Sequence, residues 1–586
     1  MAAPRQATAQ DPVPAGGARA LAGLSRSGQT IEPFILRIDP SMRLPRLPLL
    51  LVLVLLTTCS EPTTNTRPPN PQTVSVLTQH NDNTRAGWNA NETALTTSNV
   101  NVQQFGALFS MPVDDHVYAQ PLVVGNLAIA NPSRNVVYVA TVNNTLYAYD
   151  GDDGRVYWQR NFTAPGMRPP RATDMTGACG GTYNNFAGNI GIVGTPVIDA
   201  ARKVVYFVAR STSGSPTFVQ DLHAVNIVSG SDLAGSPVRI TATAIGNGDG
   251  SVNNLIVFDA QTQDQRQALT LVNGTVYVSF SSHCDWGPYH GWILGYDAVT
   301  LQQRVVYNDT PNGSAGGLWE SGMGMAADAQ GSLYVVTGNG TVGDSGDPTN
   351  PTNRGHSALK LASSGSTLQV SSYFTPADYQ AANTADLDYG TMGSLLIPNS
   401  SYFFTGSKDG TLYLLNKDDM GGVSSTNQVQ QAVPLGPNAN MHCHAAYYQG
   451  STKEFVYVWS ENDVLRALPF DRASNLLDIS GEIDFTSGGP TGQSGAVLSV
   501  SSNGSKAGTG ILWAAYASSG DAESVVTPGI LRAFDATDVT RELWNNQQNP
   551  ARDGAGTYAK FSEPTIANGH VYLPTFSNKV VVYGLQ

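Results

Sequence analysis

Hydrophobic and polar positions in this chain alternate in short bursts, without the three-to-four-residue spacing of amphipathic helices. Val136–Ala140 (VVYVA), Leu146–Asp150 (LYAYD) and Val156–Gln159 (VYWQ) show the form: brief runs rich in Val, Leu and Tyr, separated by Asn, Asp and Gly. Runs of this length, β-branched and aromatic and bounded by turn formers, predict strands. Helical segments are not expected to carry the fold.

The bursts recur as a unit. A strand with a small residue or Pro leads into a Val/Tyr-rich strand, then a turn, then a strand of the type Leu-x-Ala-x-Asp, often followed by an aromatic-bearing fourth. Copies start near Gln120, Thr195, Ala268, Met323, Met392, His444, Ala496 and Glu563. Their spacing, roughly 50–75 residues, is that of a four-stranded blade with variable loops. The predicted fold is all-β: an eight-bladed β-propeller of four-stranded antiparallel blades over residues 74–586. The eighth copy reaches Gln586 with only three strands. Phe105–Val113 (FGALFSMPV), which belongs to no other copy, is expected to supply the fourth strand and close the ring, so that no sheet edge stays open.

Composition agrees with this architecture. Glycine (60) and proline (34) punctuate the chain, and only 13% of residues are charged. The formal charge of −13 sets nucleic acid aside as a partner, since an acidic body repels phosphate backbones. The N-terminus reads as an address. Met42 opens MRLPRLPLLLVLVLLTTCS, with Arg43 and Arg46 before an apolar run, Leu47–Leu56, that is too short to span a bilayer. Residues 42–58 are expected to be a signal peptide and residues 1–41 a start-site artefact. The ending Leu56-Thr57-Thr58-Cys59 resembles the lipobox of bacterial lipoproteins, which implies lipidation at Cys59. Residues 59–73, rich in Pro, Thr and Asn, read as an extended tether. The expectation is an exported, monomeric protein of the bacterial cell envelope, attached to the outer membrane, on its periplasmic or surface face, through a lipid anchor only.

Three segments carry a family resemblance: Gln79–Val100, with its N-x-x-R stretch and "NV" turn; Leu146–Gln159 (LYAYDGDDGRVYWQ), similar to a tryptophan-docking repeat; and the eight copies themselves. Together they resemble the pyrroloquinoline-quinone (PQQ) propellers, the quinoprotein alcohol dehydrogenases and their exported relatives. That resemblance implies a site for PQQ with Ca²⁺. Asn339, in VVTGNG, stands where those enzymes place an asparagine ligand to calcium. His356, in RGHSALKL, stands where an aspartate is expected, and imidazole suits a hard cation poorly. Asp386 and Asp388 (DLDYG) resemble the Asp-rich run before the fifth blade. The adjacent-cysteine pair and the CxxCH haem motif of the dehydrogenases are both absent from the sequence.

The propeller also predicts which polar side chains converge at the channel mouth: His116, Tyr118, Gln120, Arg266, Trp319, Glu320, His442, His444 and Glu563, at entries to innermost strands. A metal reading takes His283, His290 and His444, with nearby Cys, as Cu or Zn ligands. The preferred alternative is a Cys179–Cys284 disulfide, as an oxidising compartment allows, with Cys443 a buried thiol. Two functions follow. The favoured one is a binding or scaffold module of the envelope that recognises a glycan or protein. The other is an enzyme, a quinoprotein-like oxidoreductase or a polysaccharide-active protein, working at the channel mouth.

Overall fold

The computed structural model describes residues 73–436 and 438–586. The predicted segments 1–41 and 42–58, Cys59 and all of the tether but residue 73 lie outside them. The regular secondary structure of the described chain is almost wholly strand, arranged as eight antiparallel blades. Blade 1 shows the plan: Leu122–Leu127 innermost, then Arg134–Ala140, Thr145–Asp150 and Val156–Asn161 outward. Blades 2 and 3 are separated by an added hairpin, Thr243–Ile245 with Leu255–Val257.

The middle strands read as unbroken hydrophobic runs because both of their faces are buried. Val136 and Tyr138 face the apolar cluster shared with blade 2, whereas Val137 and Val139 face the cluster shared with blade 8. Equivalent clusters lie between every other neighbouring pair, from blades 2 and 3 round to blades 7 and 8. Eight such interfaces make a closed ring. Trp158, on the outer strand of blade 1, donates its indole N–H to the Ile227 carbonyl of blade 2 at 3.0 Å and packs over Gly230. That glycine has φ +70°, and a Cβ there would come within 2.9 Å of the indole.

Closure follows the predicted route. Phe105–Pro112 pairs antiparallel with Lys579–Leu585, from Phe105 opposite Leu585 to Pro112 opposite Lys579, and completes blade 8.

One feature has no counterpart in the repeat pattern. The segment Val76–Asn89 hydrogen-bonds to the innermost region of all eight blades. Val76 pairs with Val123, Leu77 accepts from Ile198, and Asn83 bonds Leu271 of blade 3 and Ala327 of blade 4. Thr84, Ala86 and Gly87 accept from Leu396, Tyr447 and Val500, and the Asn89 amide donates to Ile566. A single strand of chain that reaches every inner strand must lie across the axis. It is a plug.

Candidate functional site

Above the plug, the loops entering the inner strands enclose a cavity of about 420 Å³. A neighbouring cleft of about 810 Å³ shares Asp285 and Asp386 with it. Trp319 forms part of the cavity wall. Its indole N–H donates to the Ser282 carbonyl at 3.3 Å and Tyr289 meets its ring edge-on. Gly317 and Gly338 let the ring settle, since a Cβ on either would come within 2.8 Å of it.

Three of the four residues assigned to a cofactor come together beside this indole. The Asn339 backbone N–H donates to Asp388 Oδ1 at 2.8 Å, and its side-chain amide donates to Asp386 Oδ1 at 3.1 Å. Lys408, which the sequence reading missed, places its ammonium 2.7 Å from Asp388 Oδ2 and 3.4 Å from Asp386 Oδ2. Burial acts to lower that ammonium's pKa, but the two carboxylates hold it above the ordinary lysine value. Asp285, also missed as an oxygen donor, accepts from the Tyr289 hydroxyl at 2.6 Å. Burial raises its carboxyl, and Asp388 and Asp386 add to the rise.

His356 requires a correction. It does not occupy a ligand position on the cavity wall. It is buried, with Nδ1 3.1 Å from Asn339 Oδ1, and so stands behind the asparagine. Its backbone is left-handed, with φ +50°, two residues before the strand Ala358–Ser364 begins. The acidic oxygens at this site come from Asp285, Asp386 and Asp388.

Cations face these acids. The Arg266 guanidinium stacks on Phe561 at 4.6 Å, while its Nε is buried without a hydrogen-bond partner. Lys560 is buried and donates to the Glu523 carbonyl; burial pushes its ammonium down to about 7, and Arg266 adds to the effect. His442 lines the same space, with Nδ1 2.8 Å from Glu461 Oε1. Cys284 does too, joined to Cys179 by a disulfide, while Cys443 is free and buried.

The other expected mouth residues lie elsewhere. His116 is half-buried against Phe576 and Asp115, at the rim. Tyr118 is buried, its hydroxyl accepting from Ala187 N. Gln120, Glu320 and Glu563 lie deeper, and the plug takes up the polar groups of Gln120 and Glu563. Gln120 Oε1 accepts from His80 N at 2.9 Å, and Gln79 donates to Glu563. Glu320 Oε1 accepts from Val336 N, and burial pushes its carboxyl up to about 8.

The three histidines proposed as metal ligands do not meet. His283 Nε2 accepts from Arg210 at 2.7 Å, and Nδ1 lies 2.9 Å from the Tyr183 hydroxyl. His290 bonds Thr310 and the Asp249 carbonyl. His444 lies below, against Glu563. Loops fixed by different blades carry them into three separate networks.

Comparison with known proteins agrees with this architecture. Residues 124–283 match a family model described as outer membrane protein assembly factor BamB. Quinohemoprotein alcohol dehydrogenase from Comamonas testosteroni superposes with a TM-score of 0.56 at 13% identity, covering 87% of this chain and 80% of that one. Quinohemoprotein alcohol dehydrogenase ADHIIG from Pseudomonas putida HK5 gives 0.52 at 12% identity with the same coverage of each. At such identities the likeness is one of fold. No curated protein matches the sequence.

Proposed function

We propose, from the premise that this chain is an eight-bladed propeller of PQQ-like repeats, that its mouth cavity binds a small planar polycarboxylate of the PQQ kind and that the protein is an oxidoreductase of quinoprotein type. The observation that carries this reading is the donor set around one cavity. An indole face, a guanidinium with an unpartnered Nε and Lys560 line the same cavity as three carboxylates, two of them held by Lys408 and the Asn339 amide. Trp319 would stack on the flat ring system, while Arg266 and Lys560 would pair with its carboxylates. Asp285, Asp386 and Asp388 are oxygen donors of the type a hard divalent cation takes, and Asn339, its amide N–H on Asp386 and its Oδ1 toward His356, would hold the Asp386 carboxylate in position. When bound, the quinone supplies a two-electron oxidant. This chain supplies position and proton transfer: Asp388 is the carboxylate set to accept a proton from a substrate hydroxyl, held in place by Lys408 and the Asn339 N–H.

Titrating the purified protein with PQQ, with and without Ca²⁺, tests this through tryptophan fluorescence and dye-coupled oxidation of alcohols and sugars. Saturable quenching with turnover is expected, and Arg266→Ala and Trp319→Ala should each weaken binding roughly tenfold or more, as loss of a charged or stacked contact does. Wild-type protein that neither binds nor turns over would overturn the reading.

The match to the BamB family model over blades 1–3 favours a second reading, a scaffold of the bacterial envelope. Export through residues 42–58 and lipidation at Cys59 belong to either. Recovery of an envelope protein in crosslinks from intact cells, with no PQQ binding, would select it.

A further inference from the structure

The plug carries a second cluster that the mouth cavity does not use. His80 of the plug, His444 before blade 6 and Glu563 before blade 8 are wholly buried, and one donor atom from each lies within 4.8 Å of the others. His444 Nδ1 is 2.5 Å from Glu563 Oε1, and His80 Nε2 is 3.8 Å from the same oxygen.

The remaining contacts of the two rings are decisive. His80 Nδ1 lies 2.8 Å from the Arg85 carbonyl and Nε2 lies 2.8 Å from the Leu498 carbonyl. His444 Nε2 lies 2.6 Å from the Ser321 carbonyl, opposite the Nδ1 that faces Glu563. The three backbone carbonyls only accept, and so does Glu563 as a carboxylate. A neutral imidazole has one N–H, so whichever tautomer each ring adopts, one nitrogen lone pair points at an oxygen. Two such clashes in one sealed pocket call for positive charge at both. Protonating both rings would bury two imidazolium ions beside a single carboxylate. One metal ion answers both clashes at once.

We propose that His80, His444 and Glu563 form a structural site for a divalent transition metal of zinc's type. The ligands are Nε2 of His80, Nδ1 of His444 and the Glu563 carboxylate, a combination of donors that zinc accepts. In this arrangement each imidazole donates its other N–H to a backbone carbonyl, Arg85 for His80 and Ser321 for His444, as metal-bound histidines do. The second carboxylate oxygen, Glu563 Oε2, has no hydrogen-bond partner from any other residue. The Leu498 carbonyl stands beside His80 Nε2 and is a further oxygen within reach. The ion would staple the plug to blades 6 and 8, and its binding energy would be part of the folding energy.

Elemental analysis of the full chain tests the site. Protein purified without added metal is expected to hold about one equivalent of zinc, to keep it through dialysis against EDTA and to release it on unfolding. Refolding with Co²⁺ should give the visible bands of a tetrahedral site. His80→Gln should abolish the stoichiometric metal, while His290→Gln, outside the cluster, should leave it. In case His80→Gln fails to fold, wild-type protein refolded with zinc is compared with the same protein refolded in EDTA, and the zinc form should have the higher Tm. Wild-type protein without metal and without a Tm gain from zinc would overturn the proposal, as would a folded His80→Gln variant that retains a full equivalent.

Discussion

At the scale of single residues, Lys560 and Arg266 set the electrostatics of the mouth. Both are held in a wall that disfavours charge: burial lowers each pKa, and Asp264 partly restores that of Arg266. Lys560, pushed down to about 7, is therefore a cation whose charge turns on within the working range of pH. The sign is fixed by its chemistry. Below 7 the ammonium is present and attracts an anionic ligand; above 7 the amine is neutral and the attraction is lost. Between pH 6 and pH 8 the protonated fraction falls from roughly nine-tenths to one-tenth. Affinity for PQQ or a similar polycarboxylate is expected to drop several-fold over that interval, measured by fluorescence titration. Lys560→Arg, which keeps its charge throughout, should flatten the profile, and an unchanged slope in that variant would assign the pH dependence to another group.

At the scale of elements, the plug decides how the site is built. Arg85 anchors it. Its Nη1 donates to Thr78 Oγ1 and the Gln79 carbonyl, and its Nη2 to Thr270 Oγ1 and the Met325 carbonyl. Arg85→Met keeps the bulk but leaves several buried acceptors without partners. Unfolding free energy should fall by about 3–5 kcal/mol in urea titrations. No periodicity marks this segment, because its partners are eight strands far apart in sequence. The blades, by contrast, were legible: their middle strands are buried on both faces, and that burial writes β-branched runs such as Val136–Ala140 into the chain. The closing strand was legible for the same reason. Part of the site could be read too, since Asn339, Asp386 and Asp388 sit in motifs at strand ends. Lys408 could not, for it leaves a turn after the second strand of blade 5, and Asp285 could not, for it sits in a loop whose path the repeat does not determine. His356 was set at a ligand position because a motif gives a place along the chain and not the direction of the ring, which is buried against Asn339 Oδ1. Gln120, Glu320 and Glu563 were set at the mouth for want of the plug beneath it.

At the scale of the whole molecule, the ring is held shut by hydrogen bonds between its two ends. Strand Phe105–Pro112 covers the outer edge of Lys579–Leu585, and Phe105 packs among Trp513, Trp544 and Tyr583 at the interface of blades 7 and 8. Removing the chain through residue 113 would take the plug and the closing strand together. The Val580–Tyr583 stretch (VVVY) would then present a β-branched edge with unpaired N–H and C=O groups, a template for pairing with another copy. Removing only residues 1–72 would leave every described hydrogen bond of the ring in place. Size-exclusion chromatography with light scattering should therefore find the shorter deletion to be of a single discrete mass and the longer one self-associated. Urea unfolding should remain one cooperative transition only in the shorter deletion, because eight interfaces that close on each other unfold together, whereas an opened ring can fray blade by blade from its free edge. A longer deletion of the same discrete mass with an unchanged single transition would show that the ring closes through its apolar interfaces alone, with the strand exchange at blade 8 contributing little.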